Sequence, residues 1–386
     1  MKEKIKDNAL WEKVYLIILG IYLTIDVLNT TMFNIKWPSR IGYVQFAMIG
    51  AYTICKLICF TYLKKYKWYE LTFSIIIIVL FTIPAVFTTS YSYLFGIAFL
   101  IVGAKDVDFY KILKVYIAVV VIIMSAAFIA SMTGIIENLQ ITDPNKGIRN
   151  SFGSIYPTDF GAHIFYLFGA WACLRDKKIK WPELVVMLII VSVVFIFSKP
   201  VTSTACIAIL IVLCITNKYT GGTSFLDKIC VYSTAIFAGA YLLMQKIYDP
   251  LNIYWSEFDH KISLRLYYTY QILQKYSMKL FGQDIKENGY GGKHKLTEDY
   301  MFLDDSYMAI AMKYGVVILI ITLFILCIGQ KRALDAKKRI IIYVGGIIAL
   351  HSFMEHHLLE VAYNPLLLLI FANINKTAVE ARKEKI

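Results

Sequence analysis

Apolar runs near the roughly 20 residues that a helix needs to cross a bilayer recur along the chain, and they constrain the fold more than any other feature. The runs divide into twelve expected helices: 14–33, 41–62, 71–87, 91–104, 112–132, 157–174, 184–198, 200–216, 229–247, 304–328, 340–354 and 358–374. Ser198-Lys199-Pro200 separates the seventh from the eighth, and a proline there equally allows one long kinked helix. With 386 residues, 58% of them hydrophobic, and a mean hydropathy of +0.60, the chain exceeds the roughly 45–50% apolar content of a soluble domain. The expectation is an all-α polytopic membrane protein forming a single integral membrane domain over 1–386. This excludes a soluble enzyme with one compact core, a disordered chain, a disulfide-stapled secreted domain and a single-span receptor.

The net charge of +13 follows from topology. Lysines and arginines concentrate in the N-terminal arm, in Lys64–Lys67, in Arg175–Lys180, in Lys331–Arg339 and in the C-terminal tail. The short alternate loops keep only Lys36, Arg40, Lys146, Arg149 and Lys199, with seven more in the long segment 249–303. Cytoplasmic loops retain basic residues, so both termini are expected inside, and no nucleic-acid partner is needed to explain the charge. The seven cysteines fall inside or at the edge of apolar runs, which argues against a disulfide framework. Met1–Lys13 carries mixed charge and leads into a full-length span, so the first helix is expected to act as its own targeting signal.

This topology puts the long loops outside, at 134–156 and at 249–303. The cytoplasmic loops are short and hold no nucleotide-binding motif, and Tyr290-Gly291-Gly292-Lys293 lacks the P-loop spacing. Asp26 and Lys56 lie in the first two helices, where ionisable groups are costly. An intramembrane pair or snorkelling to the interface accommodates them.

Four outer clusters carry chemistry. The segment from Arg149 to Gly161 leads into the sixth helix, and a guanidinium fork at the membrane surface matches phosphate oxygens. Anchoring to lipid headgroups is the alternative use of Arg149. Lys199 is placed similarly. Ser263-Leu264-Arg265 opens an amphipathic, tyrosine-rich stretch suited to lie on the membrane or cap the bundle. Asp304-Asp305-Ser306-Tyr307 starts the tenth helix: one carboxylate is needed as an N-cap, which leaves the other for general-base chemistry. Glu355-His356-His357, with His351 one turn earlier, suggests metal by composition, but the spacing is not HExxH, and local hydrogen bonding is the expected role.

Taken in order, these clusters resemble the O-antigen ligase and Wzy-type polysaccharide polymerase superfamily, the polymerase branch in particular. Arg149 followed by Ser151-Phe152-Gly153, Pro157 and Gly161 is similar to the family's first arginine segment. Ser198-Lys199 resembles its Ser-Arg, with lysine in place of arginine. Ser263-x-Arg265 with Leu280-Phe281-Gly282 resembles its arginine helix and glycine turn, and Asp304-Asp305-Ser306-Tyr307 with Tyr314-Gly315 its last motif. The resemblance covers about Arg149 to Asn364.

The resemblance implies a membrane glycosyltransferase that polymerises undecaprenyl-pyrophosphate-linked oligosaccharide repeat units on the outer face of a bacterial cytoplasmic membrane. The product would be a capsular, exopolysaccharide or O-antigen type glycan. It implies catalytic Asp305, Asp304 and Arg265. Arg149, Lys199, Arg265, Tyr307, His356 and Glu355 would bind pyrophosphate and sugar. No metal and no cofactor are expected, and chain-length regulator and flippase proteins are the implied partners. Two readings stand beside it: a flippase for the same lipid-linked sugar, which twelve helices also suit, and a ligase passing the glycan to another acceptor.

Overall fold

The computed structural model describes residues 2–38, 42–88, 91–143, 146–219, 224–293 and 300–375. Their helices, in order, are α1 (Lys2–Asn29), α2 (Met32–Lys36), α3 (Gly42–Tyr62), α4 (Trp68–Thr82), α5 (Tyr91–Gly103), α6 (Phe109–Met132), α7 (Pro157–Arg175), α8 (Trp181–Ser198), α9 (Val201–Tyr219), α10 (Ser224–Ile247), α11 (Ile253–Lys261), α12 (Arg265–Lys275), α13 (Ser306–Ala309), α14 (Val316–Asp335) and α15 (Arg339–His351). Six helices are long and apolar enough to cross a membrane: Tyr43–Tyr62, Phe109–Met132, Trp181–Ser198, Val201–Tyr219, Phe225–Ile247 and Val316–Asp335. Shorter apolar helices span Trp68–Thr82, Tyr93–Gly103 and Arg339–His351. On α8, Val185, Leu188, Ile189, Val193 and Ile196 all point outward. In water that stripe would be a large apolar patch, whereas against acyl chains it costs nothing. Over the described residues the chain is an all-α membrane protein except for one hairpin. The 134–156 loop folds into antiparallel strands β1 (Gln140–Asp143) and β2 (Gly147–Asn150), with Ile141 opposite Arg149.

The chain reverses at Ser198-Lys199-Pro200 rather than kinking. Asn217 and Lys218, at the far end of α9, bond Asp176 and the Ile179 carbonyl just before α8, and Trp181 donates to Tyr219. The two helices therefore run antiparallel, with Lys199 in the left-handed region at φ +52° to make the turn.

The expected twelfth helix, 358–374, does not form. Asn364-Pro365 interrupts it, leaving two short 3₁₀ turns at His357–Leu359 and Pro365–Ile370. The run is apolar because it fills the interior, with Leu366, Leu367, Leu368 and Leu369 all buried. Backbone freed from helical bonding needs partners when it lies within a membrane protein. Asn364 donates to the Leu358 carbonyl, and the Arg332 guanidinium donates to those of Leu369, Ile370 and Ala372. The expected tenth helix is also divided: a π turn at Ile310–Tyr314 and Gly315 separate α13 from α14.

Asp26 and Lys56 do not pair with each other. They sit toward the C-terminal ends of adjacent antiparallel helices and hence near opposite ends of the bundle. The Lys56 ammonium donates to the carbonyls of Gly103 and Lys105, where α5 ends.

Candidate functional site

One end of the bundle gathers the hairpin, the α8–α9 turn, α11 and α12, the start of α13 and the loop after α15. Each positions one polar group by identifiable contacts. Arg149 on β2 is buried, and its Nε donates to the Ser198 carbonyl, which the end of α8 leaves free. The Ser198 hydroxyl returns a bond to the Asn150 carbonyl, clamping hairpin to helix. The guanidinium carbon lies 5.7 Å from the Tyr156 ring centre. Arg149 Nη2 is buried and has no protein partner. Lys199 donates to the Lys146 carbonyl, which brings both lysines to the same wall.

Arg265 is placed by Asp259, a residue the sequence reading passed over. The buried Asp259 carboxylate accepts the amide N–H groups of Leu266 and Tyr267 at 2.9 Å each, as well as the Tyr248 hydroxyl at 3.0 Å. It thus ties α11 to the first turn of α12. Ser263 and Leu264 bridge the two with positive φ. From there Arg265 donates to the carbonyls of Met354 at 2.6 Å and Ile262 at 3.1 Å, and meets Glu355 at 3.4 Å. The amphipathic stretch caps the bundle: Leu266, Thr269 and Ile272 are buried, and Gln245 and Tyr241 of α10 bond to it.

The two adjacent aspartates divide their work. Asp305 is the N-cap of α13, accepting the Met308 N–H at 2.7 Å; it is fully buried and lines no described cavity. Asp304 faces the opening, where the Tyr300 hydroxyl donates to it at 2.9 Å. Tyr307 does not reach the site either, since its hydroxyl is spent on the Ala349 carbonyl inside the bundle. Ser306 brings in the last wall: its hydroxyl donates to the Glu355 carbonyl and accepts from the Leu358 N–H. Glu355 is thereby held beside Asp304. It does not share a helical face with His351, because α15 ends at His351, whose ring stacks on Phe165 and bonds Ser203 within the bundle.

Two cavities meet here. The larger, about 690 Å³, is lined by Lys146, Arg149, Lys199, Lys261 and Arg265 and by the carboxylates of Asp143, Asp304 and Glu355. The smaller, about 300 Å³, is reached past Asp304 and Glu355 and contains Asp159, Tyr290, Phe302 and His356. Burial pushes Glu355 up to about 7, with Arg265 pulling the other way. Burial likewise raises Asp304, opposed by Arg265 and by the Tyr300 hydrogen bond. Carboxyls raised in this way are better proton acceptors at neutral pH than ordinary ones.

His356, His357 and Glu360 offer ligand atoms within 4.8 Å of one another, the one described group with metal-ligand character. Both His357 nitrogens face carboxylates, Nδ1 at 3.0 Å from Glu360 and Nε2 at 3.7 Å from Asp159. That sets one imidazole between two carboxylates, with His357 and Asp159 buried and Glu360 partly exposed.

Of the residues expected at the site, Arg149, Lys199, Arg265, Asp304 and Glu355 line the larger cavity, and His356 the smaller. Asp159, Tyr156, Tyr290 and Tyr300 were not anticipated. Asp159 and Tyr156 lie inside the Arg149–Gly161 segment and carried that much signal, whereas Tyr290 stood out only as part of the glycine stretch without P-loop spacing and Tyr300 carried none. Compared with known protein families, with curated proteins and with solved structures, the chain returned no match.

Proposed function

We propose that the chain is a membrane glycosyltransferase that polymerises lipid-pyrophosphate-linked oligosaccharide repeat units at the outer surface of a bacterial cytoplasmic membrane. The observation that carries this reading is Arg149. A buried guanidinium with an unpartnered Nη2, on a cavity wall shared with Lys146, Lys199 and Arg265, pays a desolvation cost that an oxyanion would offset. The orientation implied by the loop charges belongs to the same proposal, and it turns this end of the bundle outward.

In the reaction, the bond from donor C1 to the pyrophosphate oxygen breaks, and its electrons leave with the lipid pyrophosphate. Arg149, Arg265 and Lys199 stabilise that growing charge. The acceptor hydroxyl forms the new bond to C1, and its proton passes to the Asp304 carboxylate. Asp304 takes this role over Asp305 because only Asp304 faces the opening. Pyrophosphate is a good leaving group that fixed cations can serve, so the transfer is expected to proceed without metal.

The test is to incubate the purified protein with lipid-pyrophosphate-linked repeat unit and EDTA, without nucleotide, and to resolve the products by size. A ladder of longer glycans is expected, lost in Arg149→Ala and in Asp304→Asn while both variants remain in the membrane. Movement of labelled lipid across a vesicle wall without a ladder would overturn the polymerase in favour of a transporter.

A further inference from the structure

The two cavities differ in chemistry more than in size. Every described cation among Lys146, Arg149, Lys199, Lys261 and Arg265 belongs to the larger one. The smaller holds three carboxylates, from Asp159, Asp304 and Glu355. Its one described lysine, Lys293, is an exposed residue whose ammonium is bonded to the Asn288 side chain at 2.9 Å. His356 adds no positive charge, because burial and the neighbouring His357 push it down to about 3.

The remaining lining is aromatic and ordered. Tyr290 and Tyr300 stack with ring centres 4.5 Å apart at 30°, Tyr268 sets its edge on Tyr300 at 4.6 Å, and Phe302 packs edge-on to His356 at 5.2 Å. Gly289 makes room for this wall, since a Cβ there would come within 2.9 Å of the Phe302 ring. An aromatic surface with carboxylates at its edge matches a pyranose, whose axial C–H face is apolar and whose hydroxyls donate around the rim. At about 300 Å³, the low end of ordinary ligand pockets, the cavity suits a terminal sugar and not a whole repeat unit.

We infer that the smaller cavity is the acceptor subsite, built for the non-reducing terminal sugar of the incoming unit, and that it selects a sugar without an acidic group. This deepens the polymerase reading and rests on it for the word acceptor. The shared wall supplies the geometry: Asp304, Glu355, Tyr290 and Tyr300 border both cavities, so a sugar resting on the smaller-cavity side of the two rings presents a hydroxyl to the donor carbon across the general base. A uronic acid in the same place sets a fourth carboxylate among three, with exposed Lys293 the one described cation in the lining to receive it. The donor pyrophosphate, by contrast, finds all its partners next door.

Binding separates this inference from the activity. Purified wild type, Tyr290→Ala and Arg149→Ala, in nanodiscs, would be titrated with a methyl hexoside, the matching methyl hexuronide and a dialkyl pyrophosphate, using saturation-transfer NMR. Tyr290 is a partly exposed loop residue, so its truncation removes half of the stack and no bundle contact. The hexoside is expected to bind wild type and Arg149→Ala alike and to weaken by about tenfold or more, roughly 1.4 kcal/mol, in Tyr290→Ala. The hexuronide should bind wild type at least about tenfold more weakly than the hexoside, and the pyrophosphate should lose more affinity in Arg149→Ala than in Tyr290→Ala, since the Tyr290 ring also borders the larger cavity. Hexoside binding that ignores Tyr290→Ala, or equal binding of hexoside and hexuronide, overturns the subsite. If wild type then still makes the ladder, the polymerase reading survives. Tyrosine-dependent hexoside binding without a ladder instead removes the acceptor role and leaves a sugar site on a protein of another activity.

Discussion

Glu355 joins the two halves of the site, because it pairs with Arg265 while bordering the space meant for an anion. With its carboxyl raised to about 7, chiefly by burial, it is largely neutral below that pH and charged above it. Ionisation puts a negative charge beside the bound phosphates, so affinity for a dialkyl pyrophosphate, whose own two charges are fixed, should fall as pH rises through about 7. Glu355→Gln should flatten that dependence in a calorimetric titration, and a slope unchanged in the variant would contradict the assignment. Asp305 invites a different measurement. As an N-cap whose carboxylate is otherwise buried, it should cost about 1 kcal/mol of stability when truncated to Ala. Asp305→Asn, which keeps the accepting oxygen, should stay near wild type in both thermal stability and polymer formation.

At the level of elements, the site depends on how the long loop between α10 and α13 is fastened at both ends. Asp259 fixes where α12 begins and therefore where Arg265 points. Asp259→Ala leaves the amides of Leu266 and Tyr267 without their partner, and it should weaken pyrophosphate binding by at least about fivefold, roughly 1 kcal/mol, although Asp259 lines no cavity. Asp259→Asn keeps only one of the two accepting oxygens, so a partial recovery of affinity in it would separate positioning from direct charge. The other end is fastened by two glycines. Gly282 and Gly315 both take positive φ, +80° and +104°, and a Cβ on either would come within 2.3 Å of a backbone oxygen on the other segment. That close approach lets Lys279 and Leu280 accept the amide N–H groups of Val316 and Val317. The break between α13 and α14 thus doubles as the anchor of the loop, with the Glu287–Lys313 pair at 2.9 Å beside it.

For the whole molecule, the proposed orientation is open to a direct test. A cysteine replacing Lys261, on the cationic cavity, should react with a membrane-impermeant maleimide in intact cells. One replacing Lys331, at the end of α14, should react only after permeabilisation. The native cysteines lie within helices, so background labelling should be low, and the reverse pattern would turn the site to the cytoplasm and remove the polymerase proposal with it.

The apolar runs located ten of the twelve expected helices, the tenth being divided and the twelfth absent, and six of the described helices are long and apolar enough to cross a membrane, a requirement that is local. The order of Arg149, Lys199, Arg265 and Asp304 was legible for a similar reason: charged side chains at helix ends stand out against apolar neighbours. Contacts between distant segments were not legible. Nothing local distinguishes an apolar run that spans lipid from one that fills a bundle, so 358–374 was read as a helix when Arg332 and Asn364 hold it as an interior tail. Nothing local tells which of two adjacent aspartates caps and which faces a cavity; the position of Ser306 against the loop after α15 decided that. The aromatic lobe was least visible of all, because Tyr290, Tyr300 and Asp159 acquire a common chemistry only when chain segments more than a hundred residues apart close on one space.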